Sequence, residues 1–186
     1  MLGDESSGKT TLLRLMAGEI AAHAGRLQIN GEALADQPHA YRNQVFWADP
    51  RSEVFDSMTP VAYWAAAQKR YPAFDSQLLA ELVEGLSLGQ HQDKALYMLS
   101  TGSKRKVWLA AAFASGAAVT LLDEPFAALD KASINLVLEL LHDAATHVTR
   151  ACVMAGYEAP PRVQLAATIS LQSWPNVPIP RNSDTL

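Results

Sequence analysis

The sequence predicts an α/β fold: a largely parallel sheet flanked by helices, with a helical subdomain over about 57–116 and a reduced antiparallel β element near the amino terminus. Three observations support this. The apolar runs Val119–Leu122 and Ala151–Ala155 are continuous rather than alternating, as in parallel strands buried on both faces. Stretches of helical spacing separate them, giving a strand–helix–strand order outside the middle of the chain. Asn30-Gly31, at the end of the alternating stretch Arg26–Asn30, is a strong signal for a tight hairpin turn.

The chain of 186 residues, 49% apolar and 18% charged, has the size and composition of one globular domain with a substantial core. Its formal charge of −4 argues against general nucleic-acid binding, which normally needs a basic excess. The one cysteine, Cys152, has no internal partner and fits a reducing compartment. Met1 runs into an acidic Gly/Ser segment, so no secretory signal is expected. The longest apolar stretch, Val107–Leu122, is broken by Ser115, Gly116 and Thr120. It is also shorter than the roughly 18–20 residues that span a bilayer. A soluble chain is expected, with one domain over 1–172 and a loose proline-rich tail over 173–186.

In order along the chain, Leu12, Leu15 and Met16 stand at helical spacing in Thr11–Glu19, closed by Gly18 and Gly25. Arg26–Asn30 opens the hairpin, and Gln44–Trp47 reads as a short buried strand stopped by Asp49-Pro50. Pro60 begins a helix, Pro72 separates the next, and Ser76–Leu86 is amphipathic, with Ser76 as its N-cap. Another helix follows Leu99-Ser100-Thr101-Gly102 and runs to about Ser115, and a last one runs from Ser133 to His147. Tyr63, Trp64, Tyr71 and Phe74 read as core, with a docking surface as the second reading. The run Lys104–Lys106 reads as a solvated helix face. The five histidines are scattered and suggest no metal site.

Gly3-Asp4-Glu5-Ser6-Ser7-Gly8-Lys9-Thr10 fits G-x-x-x-x-G-K-[ST], the phosphate-binding loop. Glycines let the backbone approach phosphate oxygens, so that successive N–H groups form an anion nest. Lys9 supplies charge toward the β- and γ-phosphates, Thr10 can ligate Mg²⁺, and the helix from Thr11 adds its positive dipole end. Leu121-Leu122-Asp123-Glu124 is an apolar strand ending in two acids, the Walker B pattern. Asp123 would hold the metal and Glu124 would polarise the attacking water. A chance Gly-Lys-Thr, or an acidic pair closing a turn before Pro125, is the competing reading of either motif alone. Their order in one chain favours a P-loop NTPase.

Leu99-Ser100-Thr101-Gly102-Ser103, just ahead of a helix, resembles the Leu-Ser-Gly-Gly-Gln signature of the ATP-binding cassette (ABC) ATPases. Ala128-Leu129-Asp130 looks like that family's D-loop, and the resemblance spans roughly residues 2–171. It implies an ATP-binding and ATP-hydrolysing subunit using ATP and Mg²⁺. Its bound nucleotide would be completed by Ser100 and Gly102 of a second, facing ABC subunit. It also implies a membrane-spanning permease partner, no nucleic-acid partner, and a peripheral place on the cytoplasmic face of the membrane.

Four departures bear on these expectations. The resemblance implies strands ahead of the phosphate loop, which Met1-Leu2 is too short to supply, so a truncated chain, a misplaced start or an open sheet edge is expected. Ser6 stands where the family usually has glycine, with Asp4 and Glu5 beside it. The family's metal-sensing glutamine should fall near Trp47-Ala48-Asp49, where Asp49 could contact the metal instead. Tyr157 takes the place of the switch histidine, and a phenol near pKa 10 donates a hydrogen bond but is no base at neutral pH. These departures motivate two alternatives: a hydrolysis-impaired regulatory ABC module, or a non-transport ABC ATPase.

Overall fold

A computed structural model describes residues 1–171; the tail expected over 173–186 lies outside the described residues. The chain order is α1 (Lys9–Met16), the hairpin β1 (Gln28–Ile29) and β2 (Glu32–Ala33), α2 (Pro38–Asn43) and β3 (Val45–Trp47). It continues through α3 (Pro60–Arg70), α4 (Ser76–Gly85), α5 (Thr101–Ala114), β4 (Val119–Asp123), α6 (Lys131–Ala144) and β5 (Ala151–Ala155).

β3, β4 and β5 form a parallel sheet in that order, Val45 opposite Val119 and Val119 opposite Ala151. Alternate side chains feed two cores. Val45, Leu121 and Ala155 join Leu13 and Ala17 of α1 and Tyr41 of α2 on one face. Phe46 and Leu122 join Val107, Trp108 and Ala111 of α5 and Val137 and Leu141 of α6 on the other. Layers on both sides explain why β4 is apolar throughout its middle.

The hairpin turns as expected: Asn30 and Gly31 both have positive φ, 49° and 88°, the conformation of a type I′ turn. Two details differ from expectation. Asp75, not Ser76, caps α4: its Oδ1 accepts from Leu78 N–H at 2.9 Å, and Ser76 Oγ accepts from Gln68 instead. α2 has too few apolar positions to show as a helix in the sequence; Pro38 at its start and Tyr41 on its buried side hold it.

β5 is less buried than its sequence suggests, with Ala151 exposed and only Ala155 fully buried. Among the described residues, its outer neighbour reaches only its carboxyl end. That neighbour is Leu2, which makes parallel bridges to Gly156 and to Ser170. Gly156 N–H donates to Met1 C=O at 3.1 Å, Gly3 N–H to Gly156 C=O at 3.3 Å, and Leu171 N–H to Leu2 C=O at 2.7 Å. These bonds and isolated bridges hold the start of the phosphate loop against the end of β5, while most of the β5 edge stays without a neighbouring strand among the described residues.

The helical middle packs where expected. Tyr63, Trp64 and Tyr71 are buried and Phe74 packs against the same core, which settles them as structural. Trp64 Nε1–H donates to Val107 C=O at 3.0 Å, tying α3 to α5, and the Tyr71 hydroxyl donates to Val45 C=O at 2.8 Å, tying α3 to the sheet. Lys104 and Lys106 correct the solvated-face reading: Lys104 pairs with Asp56, and Lys106 donates to Asp130 at 2.6 Å and to Leu86 C=O at 3.3 Å. That hydrogen bond from Lys106 holds the Asp130 carboxyl well below the usual range. Asp130 in turn caps α6 through Ser133 N–H.

Candidate nucleotide site

The loop from Gly3 to Gly8 enters α1 through Gly8 at φ 89°. No side chain caps the first turn of α1 and no acid stands in it, so its amide dipoles face outward unopposed. A Cβ placed on Gly8 would meet nothing within 4 Å, so the turn opens onto free space. Ser7 Oγ is buried there without a partner among the described residues. A polyphosphate fits these features: unopposed amides, an orphaned hydroxyl and room above the turn.

Lys9 is only 6% exposed, and the loop's own backbone solvates its charge. Its ammonium donates to Gly3 C=O at 2.6 Å and Asp4 C=O at 2.7 Å, and lies 4.5 Å from the centre of the Tyr157 ring. Asp4 and Glu5 turn to solvent, which removes the conflict their charges suggest. Ser6 sits at φ 60°, the conformation that explains why glycine is usual there. Ser6→Gly is therefore expected to stabilise the chain by about 0.5–1 kcal/mol, read as a higher urea midpoint at unchanged slope. A lower midpoint would mean that the serine side chain contributes more than the strain costs.

β4 delivers the acids. Asp123, 7% exposed, accepts from Thr10 Oγ1 at 2.6 Å, joining the start of α1 to the end of the central strand. Hydroxyl and carboxylate are the hard oxygen donors that suit Mg²⁺, so this pair fits the metal. Glu124 leaves the strand at φ 45°, a left-handed conformation costing a non-glycine residue about 1–2 kcal/mol, and its N–H donates to Ala155 C=O at 2.9 Å. Tyr157 follows β5 and is half-exposed. The Glu124 carboxylate beside it pushes its phenol further above the ordinary value, helped by Glu5 and opposed by Arg51. Glu124, Tyr157 and Lys9 therefore share one locale.

The structure thus brings together Gly3 through Thr11, Asp123, Glu124 and Tyr157. Asp49 stands in a local turn, its Oδ1 accepting from Arg51 N–H at 2.9 Å. Ser100 caps α5, accepting from Ser103 N–H at 3.1 Å, and Gly102 lies so close to Ala128 C=O that any Cβ would overlap it. Gly102 thus packs against the Ala128–Asp130 segment of its own chain. Two basic residues near the acids escaped sequence reasoning. Arg105 was hidden in a basic run and Arg51 in a turn; only their neighbours in space reveal them. Arg105 Nη1–H donates to Asp123 C=O at 3.0 Å and Glu124 C=O at 2.7 Å.

A threonine at a helix start hydrogen-bonded to an aspartate at the tip of the adjacent parallel strand, beside a lysine in a glycine-bounded loop, makes this a P-loop nucleotide-binding domain. The family model described as ABC transporter matches residues 1–127, well over half of the chain. The chain belongs to the ABC transporter family. It is 31% identical over 147 residues to the cytochrome c biogenesis ATP-binding export protein CcmA of Pseudomonas syringae pv. syringae, covering 78% of this chain and 68% of that one. To the CcmA of Pseudomonas savastanoi pv. phaseolicola it is 35% identical, over 71% of this chain and 62% of that one. To the molybdenum import ATP-binding protein ModC of Methylococcus capsulatus it is 35% identical, over 77% and 42%. The chain thus spans about two thirds of the length of the CcmA proteins and less of ModC. Among solved structures, an ATP-binding subunit of an ABC transporter shares the fold at a TM-score of 0.74 and 24% identity, over 84% of this chain and 66% of that one.

Proposed function

We propose that this chain binds ATP with Mg²⁺ on the Gly3–Thr11 loop, hydrolyses it, and drives a membrane-spanning permease as the ATP-binding subunit of an ABC transporter. The observation that supports this most is the Thr10–Asp123 hydrogen bond, which puts both halves of the nucleotide site in one place. Lys9 exchanges loop carbonyls for phosphate oxygens, Thr10 and Asp123 hold the metal, and Glu124 takes the proton of the attacking water. Mg²⁺, when bound, neutralises charge on the phosphate oxygens. Asp49 is assigned to an outer contact with the metal's water. Ser100 and Gly102 serve the nucleotide of a second, facing subunit, identical or not, through the amide end of α5.

A permease partner agrees with one surface. Val54, Phe55, Val61, Tyr97 and Met98 are exposed, and Tyr97 N–H donates to Asp56 C=O at 3.0 Å, bringing the two segments side by side. Such an apolar patch suits a protein partner. Among the described residues, no helix is long and apolar enough to cross a membrane, so the spanning segments would belong to that partner, with this chain peripheral on the cytoplasmic face. Equilibrium dialysis tests the reading: saturable Mg-ATP binding below millimolar nucleotide is expected, and none at millimolar nucleotide would overturn it.

A hydrolysis-impaired module is the second reading, favoured by Tyr157 in the switch position. Because Glu124 holds the Tyr157 phenol above its ordinary value, it stays protonated across pH 6–9 and cannot serve as a base there. Tyr157→His is expected to speed hydrolysis and to add an inflection near pH 6.5 to the rate profile, absent from the parent. A profile unchanged by the substitution would place residue 157 outside the chemistry.

A further inference from the structure

We infer that Arg105 is a positioning residue for hydrolysis, clamping the left-handed turn that presents Glu124 and so tying the signature helix α5 to the general base. The inference rests on the reading of Glu124 as that base. In an extended strand successive carbonyls point to opposite sides, so one donor does not reach two in a row. Here a single guanidinium nitrogen reaches the carbonyls of both Asp123 and Glu124. That convergence requires the chain to leave the strand between them, as it does at the positive φ of Glu124.

The peptide groups on both sides of Glu124 are thereby held. The Glu124 N–H is anchored on Ala155 of β5, and the carbonyls before and after its Cα are anchored on Arg105. With both peptides fixed, the direction of the Glu124 Cα–Cβ bond, from which the carboxylate extends, is fixed too. Without the guanidinium, two carbonyls would face each other unpaired, and the turn would relax toward ordinary backbone angles.

Position in the fold makes Arg105 a connector. It lines a cavity of about 30 Å³ with Ala48 and Pro50, from the segment after β3, and with Trp108, Asp123 and Pro125. The Nε–H of Arg105 and the Nε1–H of Trp108, one turn apart on α5, are buried there without partners among the described residues. A movement of α5 would reach Glu124 through this side chain.

The test compares the full chain with Arg105→Met, Arg105→Lys, Glu124→Gln and the Arg105→Met/Glu124→Gln double variant, reading turnover, Mg-ATP affinity and melting temperature. Arg105→Met is expected to lower turnover about 10- to 100-fold with affinity within about threefold, because a displaced base slows chemistry without removing a phosphate contact. Arg105→Lys, able to make a single clamp, should fall between. In the Glu124→Gln background Arg105→Met should cause no further loss, since the group it positions is gone. Parent turnover in Arg105→Met, or an equal loss in both backgrounds, overturns the inference. If Arg105→Met does not fold, Arg105→Lys decides: lower turnover at unchanged affinity and melting temperature supports the clamp, and unchanged turnover overturns it. Glu124→Gln at parent turnover would instead overturn the reading of the base, whatever the Arg105 variants do.

Discussion

Glu124→Gln is expected to lower ATP turnover by about 10²- to 10⁴-fold while Mg-ATP affinity stays within a few fold. The exchange keeps size and shape while removing the negative charge and with it the ability to accept the water's proton. The Glu124 backbone is held through its N–H on Ala155 and its carbonyl on Arg105, neither of which the exchange touches. The fold and the loop should therefore survive, and the loss should fall on the chemical step. Single-turnover hydrolysis, with nucleotide binding measured on the same samples, checks this. Equal turnover in both proteins would remove Glu124 from the reaction and favour the regulatory reading.

Lys9→Ala should act on binding instead, weakening Mg-ATP by about 100-fold, near 2.7 kcal/mol, as expected for losing charge-assisted bonds to phosphate. Lys9 is buried and its ammonium holds Gly3 and Asp4 carbonyls, so some loss of stability is expected as well. The two effects separate in a melting experiment. The parent should melt at rising temperature as nucleotide is added, and the variant should need about 100-fold more nucleotide for the same rise. A variant that melts lower but keeps the parent's nucleotide-dependent rise would show that Lys9 serves the loop rather than the ligand.

Much of the site could be read from the sequence because its parts are local. The phosphate loop needs glycine, lysine and threonine at set spacing before a helix, and the acids need a run of apolar strand before them, so both show as short patterns. The two-sided burial of β4 shows for the same reason, as a largely apolar run without polar alternation. What failed to show depends on neighbours in space. Arg105 looks like any basic residue on a helix until β4 is seen to pass beside α5. That the Asp49 carboxylate also accepts from Arg51 N–H shows only in space. Ser6 looked like a mild departure, and only its φ reveals the strain behind it.

By itself, then, the sequence determined the fold class, the phosphate loop, the acidic strand tip and the order that joins them. Each of those follows from side-chain chemistry and backbone freedom within a few consecutive residues. The tertiary structure alone decided which strand Met1–Gly3 joins, that Tyr157 lies over Lys9, and that Arg105 grips the turn at Glu124. Those facts depend on how layers stack and on which carbonyls and charges burial leaves facing one another, and distance along the chain carries no information about either.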